Sequence, residues 1–163
     1  MNKHASLGTP RAQPSRTRHA LAALAATLLA LGAGLIFAWP VVNSVETGQS
    51  EDYPSLQPVT YPVSEERAVA AVRDAISDMH RWELHDDVSE ATLRGAPAIS
   101  LSAAATAWGL LPDSEVVVML APHGEGGTLA SVRSSTPHVR GDLGQNARNV
   151  RSLLSAIDTA LLR

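Results

Sequence analysis

Cysteine is absent from the 163-residue chain. That removes disulfides, lipoprotein acylation, thiolate metal sites and cysteine nucleophiles together. Aromatic residues are scarce at 4%, and the single phenylalanine, Phe37, lies in an apolar run near the N-terminus. With a net charge of −3, so few stacking rings exclude a nucleic-acid-binding surface. Acidic side chains are missing from the first 19 residues, which hold Lys3, Arg11, Arg16 and Arg18. The segment 20–42 contains no charged side chain, and Leu and Ala dominate it.

These gaps define the N-terminal organisation. A helix over 20–42 would be about 34 Å long at roughly 1.5 Å per residue, enough for a bilayer core of about 30 Å. Trp39 and Pro40 suit an interface and a helix boundary. Basic flanks stay on the cytoplasmic side. The expectation is therefore a cytoplasmic tail (1–19), a single transmembrane helix (20–42) and a periplasmic C-terminal part, anchored in the inner membrane. A cleaved signal, cut after Ala38 or Ser44, competes with this reading. Its apolar region would normally be only about 7–15 residues long. The polar, acidic stretch 43–58, with Pro54 and Pro58, reads as an extended linker.

The remainder, 59–163, is patterned as one α+β domain. "VTYPV" (59–63) is a short edge strand. Ser64 offers an N-cap, Glu65 and Glu66 suit a first turn, and Val69, Val72, Ile76 and Met79 mark a helix face running to about Arg81. Strands are expected at 82–88, 98–103, 115–122 and 128–135, the last two joined by a turn at "HGEGG". Ala147, Val150, Leu154, Ile157 and Leu161, joined by Leu153, form the stripe of a long terminal helix. Asp142 ahead of it and Gln145 three residues later have capping-box spacing. Arg140-Gly141-Asp142 is then a loop meeting a cap, not an adhesion motif. The expected architecture is a curved antiparallel sheet packed against the long C-terminal helix, with the first helix of the domain at one end.

"EDYPSLQPVTY", "MHRWEL", "VRSS" and "DLGQNARNVRSLL" occur in that order with suitable spacing. Together, over roughly 51–160, they resemble the domain-of-unknown-function 1499 family of bacterial proteins. The most specific piece runs from Asp142-Leu143-Gly144 through Asn146-Ala147-Arg148 to Val150 and Arg151, with Trp82 and Arg133-Ser134 also matching. Pro137 and Val139 depart from the pattern, where the family tends to have Arg and Gly. The resemblance implies an α+β domain, often envelope-associated, with no established reaction.

Little in the chain can be assembled into a catalyst. His80, His85, Asp86 and Asp87 form a local metal-like cluster, but neighbouring Asp86 and Asp87 would point to opposite faces of a strand. Ser134 and Ser135 lack the glycine-flanked elbow of a hydrolase nucleophile. No cofactor, no metal and no enzymatic activity are expected. The residues that most nearly suggest a binding site are Arg133, Arg140, Asp142, Asn146 and Arg148. There a loop with arginines leads into a helix N-terminus and could hold a carboxylate or phosphate. The alternative assigns Arg148 and Arg151 to the solvated face of an amphipathic helix. Two functions follow from this reading. One is an envelope interaction or scaffold module with a protein partner. The other binds a lipid or small amphiphile between sheet and terminal helix.

Overall fold

The structure, a computed structural model, describes residues 16–38, 42–107, 112–137 and 141–163, without the side chains of 16–18, 35–38, 86 and 87. The chain divides into two compact units, Met1–Trp39 and Pro40–Arg163.

The first unit carries helix α1 (Arg16–Ala38). Its leucines Leu21, Leu24, Leu28, Leu29 and Leu31 are all more than half exposed. The helix begins and ends four residues before the expected span 20–42, and among the described residues no helix is long and apolar enough to cross a membrane. The described side chains of α1 stop at Gly34, and Trp39 and Pro40 lie outside the described residues.

In the second unit, β1 (Ser44–Glu46), β2 (Val59–Tyr61), β3 (Trp82–Leu93), β4 (Ala96–Ala105), β5 (Ser114–His123) and β6 (Gly127–Ser135) form one antiparallel sheet in the order β1-β6-β5-β4-β3. β2 also pairs with β6, so two short strands share its outer edge: β1 beside 133–135 and β2 beside 128–130. A bulge between Leu84 and Val88 breaks the register of β3. Extra residues there bend the strand, as bulges do at sheet edges.

β1 corrects the sequence reading of 43–58. That stretch is not a linker. Val45 is fully buried and Leu56 is 6% exposed, both inside the main core. Thr47 extends the pairing, donating its N–H to Val132 O (3.0 Å) while its hydroxyl accepts from Val132 N (3.1 Å) and meets Ser131 Oγ (2.9 Å). The return loop is closed by Gly48 N donating to Leu56 O at 2.7 Å. Gly48 sits at φ 73, and a Cβ there would lie 3.0 Å from Pro58 Cδ, so backbone and space both require glycine. Composition concealed all this, because only single apolar side chains of a mainly polar stretch reach the core.

Helices α2 (Glu65–Asp78) and α3 (Gln145–Leu161) lie on the same sheet face. α2 starts as its sequence indicates, with Ser64 Oγ accepting from Arg67 N at 3.4 Å. It ends at Asp78, short of the expected Arg81, which adopts a left-handed turn (φ 70) into β3. α2 is therefore beside α3 over the sheet, contacting β3 and β5, and not at one end. The buried stripe of α3 is Asn146, Ala147, Asn149, Val150, Leu153, Ile157 and Ala160. Leu153 rather than Leu154 is its centre; Leu154 and Leu161 only flank the core. Val150, Leu153 and Ile157 meet Leu101, Val116, Val118, Leu120 and Val132 of the sheet in one buried cluster. Side chains fill the space between sheet and α3 at that cluster.

Candidate functional site

The site builds from the turn before α3. Leu143 (φ 51) and Gly144 (φ 75) are both left-handed. Glycine takes that conformation freely, whereas a leucine adopts it against its own sterics. Two left-handed residues in succession turn the backbone amides of Gly144 and Asn146 onto the carboxylate of Asp142. Its Oδ1 accepts from Gly144 N at 2.9 Å and its Oδ2 from Asn146 N, while its carbonyl accepts from Gln145 N at 3.0 Å.

The spacing of Asp142 and Gln145 thus misled in part. Asp142 does hold the helix start, but Gly144 is the N-cap and no reciprocal capping box forms. The helix begins after the left-handed pair, so Gln145 is its first residue, and its amide donates to Asn149 Oδ1 at 2.8 Å. Asp142 itself is only 1% exposed, out of reach of any receptor. The anion that a helix N-terminus attracts is supplied by the chain's own carboxylate.

Behind Asp142 lies a buried polar network that joins α3 to the sheet. Asn146, with no exposed surface, accepts at Oδ1 from Ser134 Oγ (2.7 Å) and Thr136 Oγ1 (3.2 Å), and donates from Nδ2 to Asn43 O (2.9 Å). Asn149 Nδ2 donates to Ser134 Oγ at 3.2 Å. Ser114 Oγ meets Thr136 Oγ1 at 2.9 Å. Thr136 uses its hydroxyl hydrogen on Asn146, so Ser114 is the donor to it. The Ser134 proton goes to an amide oxygen, and no histidine or carboxylate contacts Ser134 in the network, so the hydroxyl has no base to activate it. The network ties segments together and holds no reactive group.

The five candidate residues separate accordingly. Asp142 and Asn146 are brought together, but inward, as structure. Arg133 and Arg148 are exposed. Arg133 Nε donates to Ser44 Oγ at 3.3 Å. Arg148 donates to Leu143 O and Gln145 Oε1, both at 3.1 Å. Arg140 lies outside the described residues.

Sequence reasoning missed Asn149, Ser114, Thr136 and Tyr53. Asn149 had a visible signal, since it follows Asn146 by three and precedes Leu153 by four, a polar side chain in the buried stripe. Tyr53 had none. The loop after β1 brings it to α3, where Arg151 sits over its ring at 5.7 Å. Burial, then the carboxylates of Asp142 and Asp52, push its phenol pKa up, against the arginines Arg151 and Arg148.

Among the described residues, no three histidine, aspartate or glutamate side chains come together to hold a metal; the side chains of Asp86 and Asp87 are outside that description. A half-open cleft of about 260 Å³ lies where β4 begins and β5 ends, lined by Glu65, Glu90, Pro97, Ile99 and Pro122 among others. None of the five candidate residues lines it.

No curated protein matches the sequence. Solved structures similar at low identity include the following two. The crystal structure of Ara h 8.0201 is 14% identical, covering 73% of this chain and 97% of that one at a TM-score of 0.37. LpqN, involved in cell envelope biogenesis of Mycobacterium tuberculosis, is also 14% identical, covering 74% of this chain and 79% of that one at a TM-score of 0.33. The segments that carried the sequence resemblance, around Tyr53, Arg133-Ser134 and Asp142 to Arg151, are far apart in the chain and meet around the start of α3. The model of the family described as "Protein of unknown function (DUF1499)" matches residues 38–157, and the chain belongs to that family.

Proposed function

We propose that this chain is a membrane-tethered module of the bacterial cell envelope that works by binding a protein partner and is not an enzyme. In this reading the segment 20–42 anchors it in the inner membrane, with the N-terminus cytoplasmic and the α+β domain periplasmic. The observation that carries the proposal is the division of labour at the start of α3. The polar side chains of the buried network are hydrogen-bonded to one another and to the backbone, while Arg148 and Arg151 are exposed beside it on α3; Arg133, paired with Val117, is exposed on the other face of the sheet. Such a surface suits recognition of a carboxylate-bearing protein and offers no nucleophile–base pair. The exposed leucines of α1, preceded in sequence by a segment with four basic and no acidic side chains, support the tether.

Binding of an amphiphile between sheet and α3 draws no support from the packing. A ligand there would have to displace Val150, Leu153 and Ile157, each at most 1% exposed.

The test is purification of the full chain from native membranes after cross-linking, with co-purifying proteins identified. One abundant partner is expected, and it should be lost in the double variant Arg148→Glu, Arg151→Glu while the variant stays folded. A partner that survives the double variant would remove this surface from the proposal. A chain that enriches no protein would remove the proposal itself.

A further inference from the structure

The two edges of the sheet differ. On the outer side of β6, β1 covers 133–135 and β2 covers 128–130. On the outer side of β3 no strand pairs among the described residues. The first part of β3 is interrupted by the bulge between Leu84 and Val88. Beyond it the pairing to β4 is unbroken, from Val88↔Leu101 to Leu93↔Ala96. Residues 88–93 therefore form a regular edge of about 20 Å whose outward backbone groups have no strand beside them. Edges are commonly blunted by lysine, proline or a bulge, and 88–93 contains none of the three.

The side chains along this edge carry a pattern. Val88 and Glu90 stand opposite Leu101 and Ile99, so both are on the face that bears the helices. Val88 is 45% exposed. Glu90, two residues on, is exposed and lines the half-open cleft of about 260 Å³ together with Glu65, Pro97, Ile99 and Pro122. Neither glutamate has an ion pair or a side-chain hydrogen bond among the described residues. The hairpin of β3 and β4 holds four acids, Glu83, Asp86, Asp87 and Glu90, and one arginine, Arg94. That arginine lies against Gly48, with Nη2 3.3 Å from the place of a Cβ there. A cleft with apolar walls and two unpaired carboxylates suits a side chain with an apolar stem and a cationic head.

We propose that 88–93 receives an extended segment of a partner protein as an added strand, and that a basic side chain of this segment enters the cleft at Glu65 and Glu90. Backbone hydrogen bonds along the edge supply affinity, and the side-chain pattern supplies selectivity. The segment carries an apolar residue beside Val88 and a lysine or arginine two positions away beside Glu90, about 6.6 Å along the strand. A second copy of this chain is a poorer occupant. Pairing β3 with β3 would bring twice those four acids to one seam, and like charges opposite one another are destabilising. The inference goes beyond the α3 surface and the tether and rests on neither.

The test uses the full chain in detergent and dye-labelled peptides. TVTKTVT has the required spacing, TVTETVT reverses its charge, and TVTKTVT methylated on every internal amide nitrogen keeps the side chains but cannot pair as a strand. Fluorescence anisotropy is expected to show TVTKTVT binding below about 1 mM, with the other two at least about tenfold weaker. Glu90→Lys changes an exposed side chain, and in this variant the preference is expected to pass from TVTKTVT to TVTETVT. Bound TVTKTVT is expected to slow hydrogen exchange at 88–93 and to leave 128–135 unchanged, where the edge is already covered. Equal binding of the methylated peptide would overturn strand addition. Equal binding of the lysine and glutamate peptides would overturn the role of the cleft, and no binding of TVTKTVT up to about 1 mM would overturn the proposal as a whole. A chain that is dimeric by light scattering and gains exchange at 88–93 on dilution would assign the edge to a second copy instead.

Discussion

Asp142 and Tyr61 are both buried and both carry an ionisable oxygen, yet their surroundings differ. Each oxygen of Asp142 accepts from a backbone amide. Asp142→Ala leaves two buried N–H groups without partners, and an unsatisfied buried donor costs about 1–3 kcal/mol. A loss of about 2–4 kcal/mol is expected in urea denaturation, with Asp142→Asn intermediate because one amide oxygen can replace only one of the two acceptors. Wild-type stability in Asp142→Ala would refute this account. The hydroxyl of Tyr61 is buried and makes no hydrogen bond of normal geometry among the described residues, although the Asp158 carboxylate lies close enough to act on it. Burial first, and then the nearby carboxylate of Asp158, hold its phenol pKa far above the ordinary 10. A raised acid keeps its proton in the folded state, so this stabilisation is complete below the unfolded pKa and declines as pH rises above about 10. Tyr61→Phe is expected to match or exceed wild type at neutral pH and to flatten that alkaline decline, read as urea midpoints across pH 8–11. A steeper alkaline loss in Tyr61→Phe would show that the decline arises elsewhere.

At the scale of elements, β1 and the network behind Asp142 hold the start of α3 and the sheet together. β1 is only three residues long, and its weight comes from one side chain, Val45, which is fully buried. Val45→Ala removes two methyl groups and leaves a small cavity, a loss of about 2 kcal/mol. A linker residue would give no change, so this single variant distinguishes a strand from a tether. The turn into α3 explains why an accurate cap residue predicted the wrong cap geometry. Capping-box spacing presumes that helical dihedrals begin directly after the cap. Leu143 and Gly144 interpose a left-handed step, which delays the helix and turns Gln145 along its own helix toward Asn149.

For the whole molecule, the decisive quantity is which side of a membrane the domain occupies. Alkaline phosphatase fused after Arg163 is expected to be active, and the full chain is expected to stay with membranes through an alkaline carbonate wash. A fusion placed within 43–58 would cut through β1 and its closing loop, so the C-terminal fusion is the informative one. Recovery of a soluble form whose first residue falls between Trp39 and Val45 would identify a cleaved signal in place of an anchor. The domain's dense core, with few exposed large apolar side chains among its described residues, makes a folded, stable module after either outcome.

Local patterns in the sequence determined the α+β class, the α2 and α3 helices, the strands from β3 to β6 and the family, because helical and strand periodicities are written into neighbouring residues. The absence of cysteine and the asymmetry of charge also belong to the sequence alone. The tertiary structure decided three further points. It made 43–58 part of the domain, because a strand whose partner, β6, lies almost ninety residues away has no local signature beyond Val45. It turned Asp142 and Asn146 inward, because a side chain's partners depend on which segments arrive beside it, here Asn43, Ser134 and Thr136. It also set Leu143 and Arg148 on the surface at the start of α3, because the backbone direction of two left-handed residues decides which side chains remain outside.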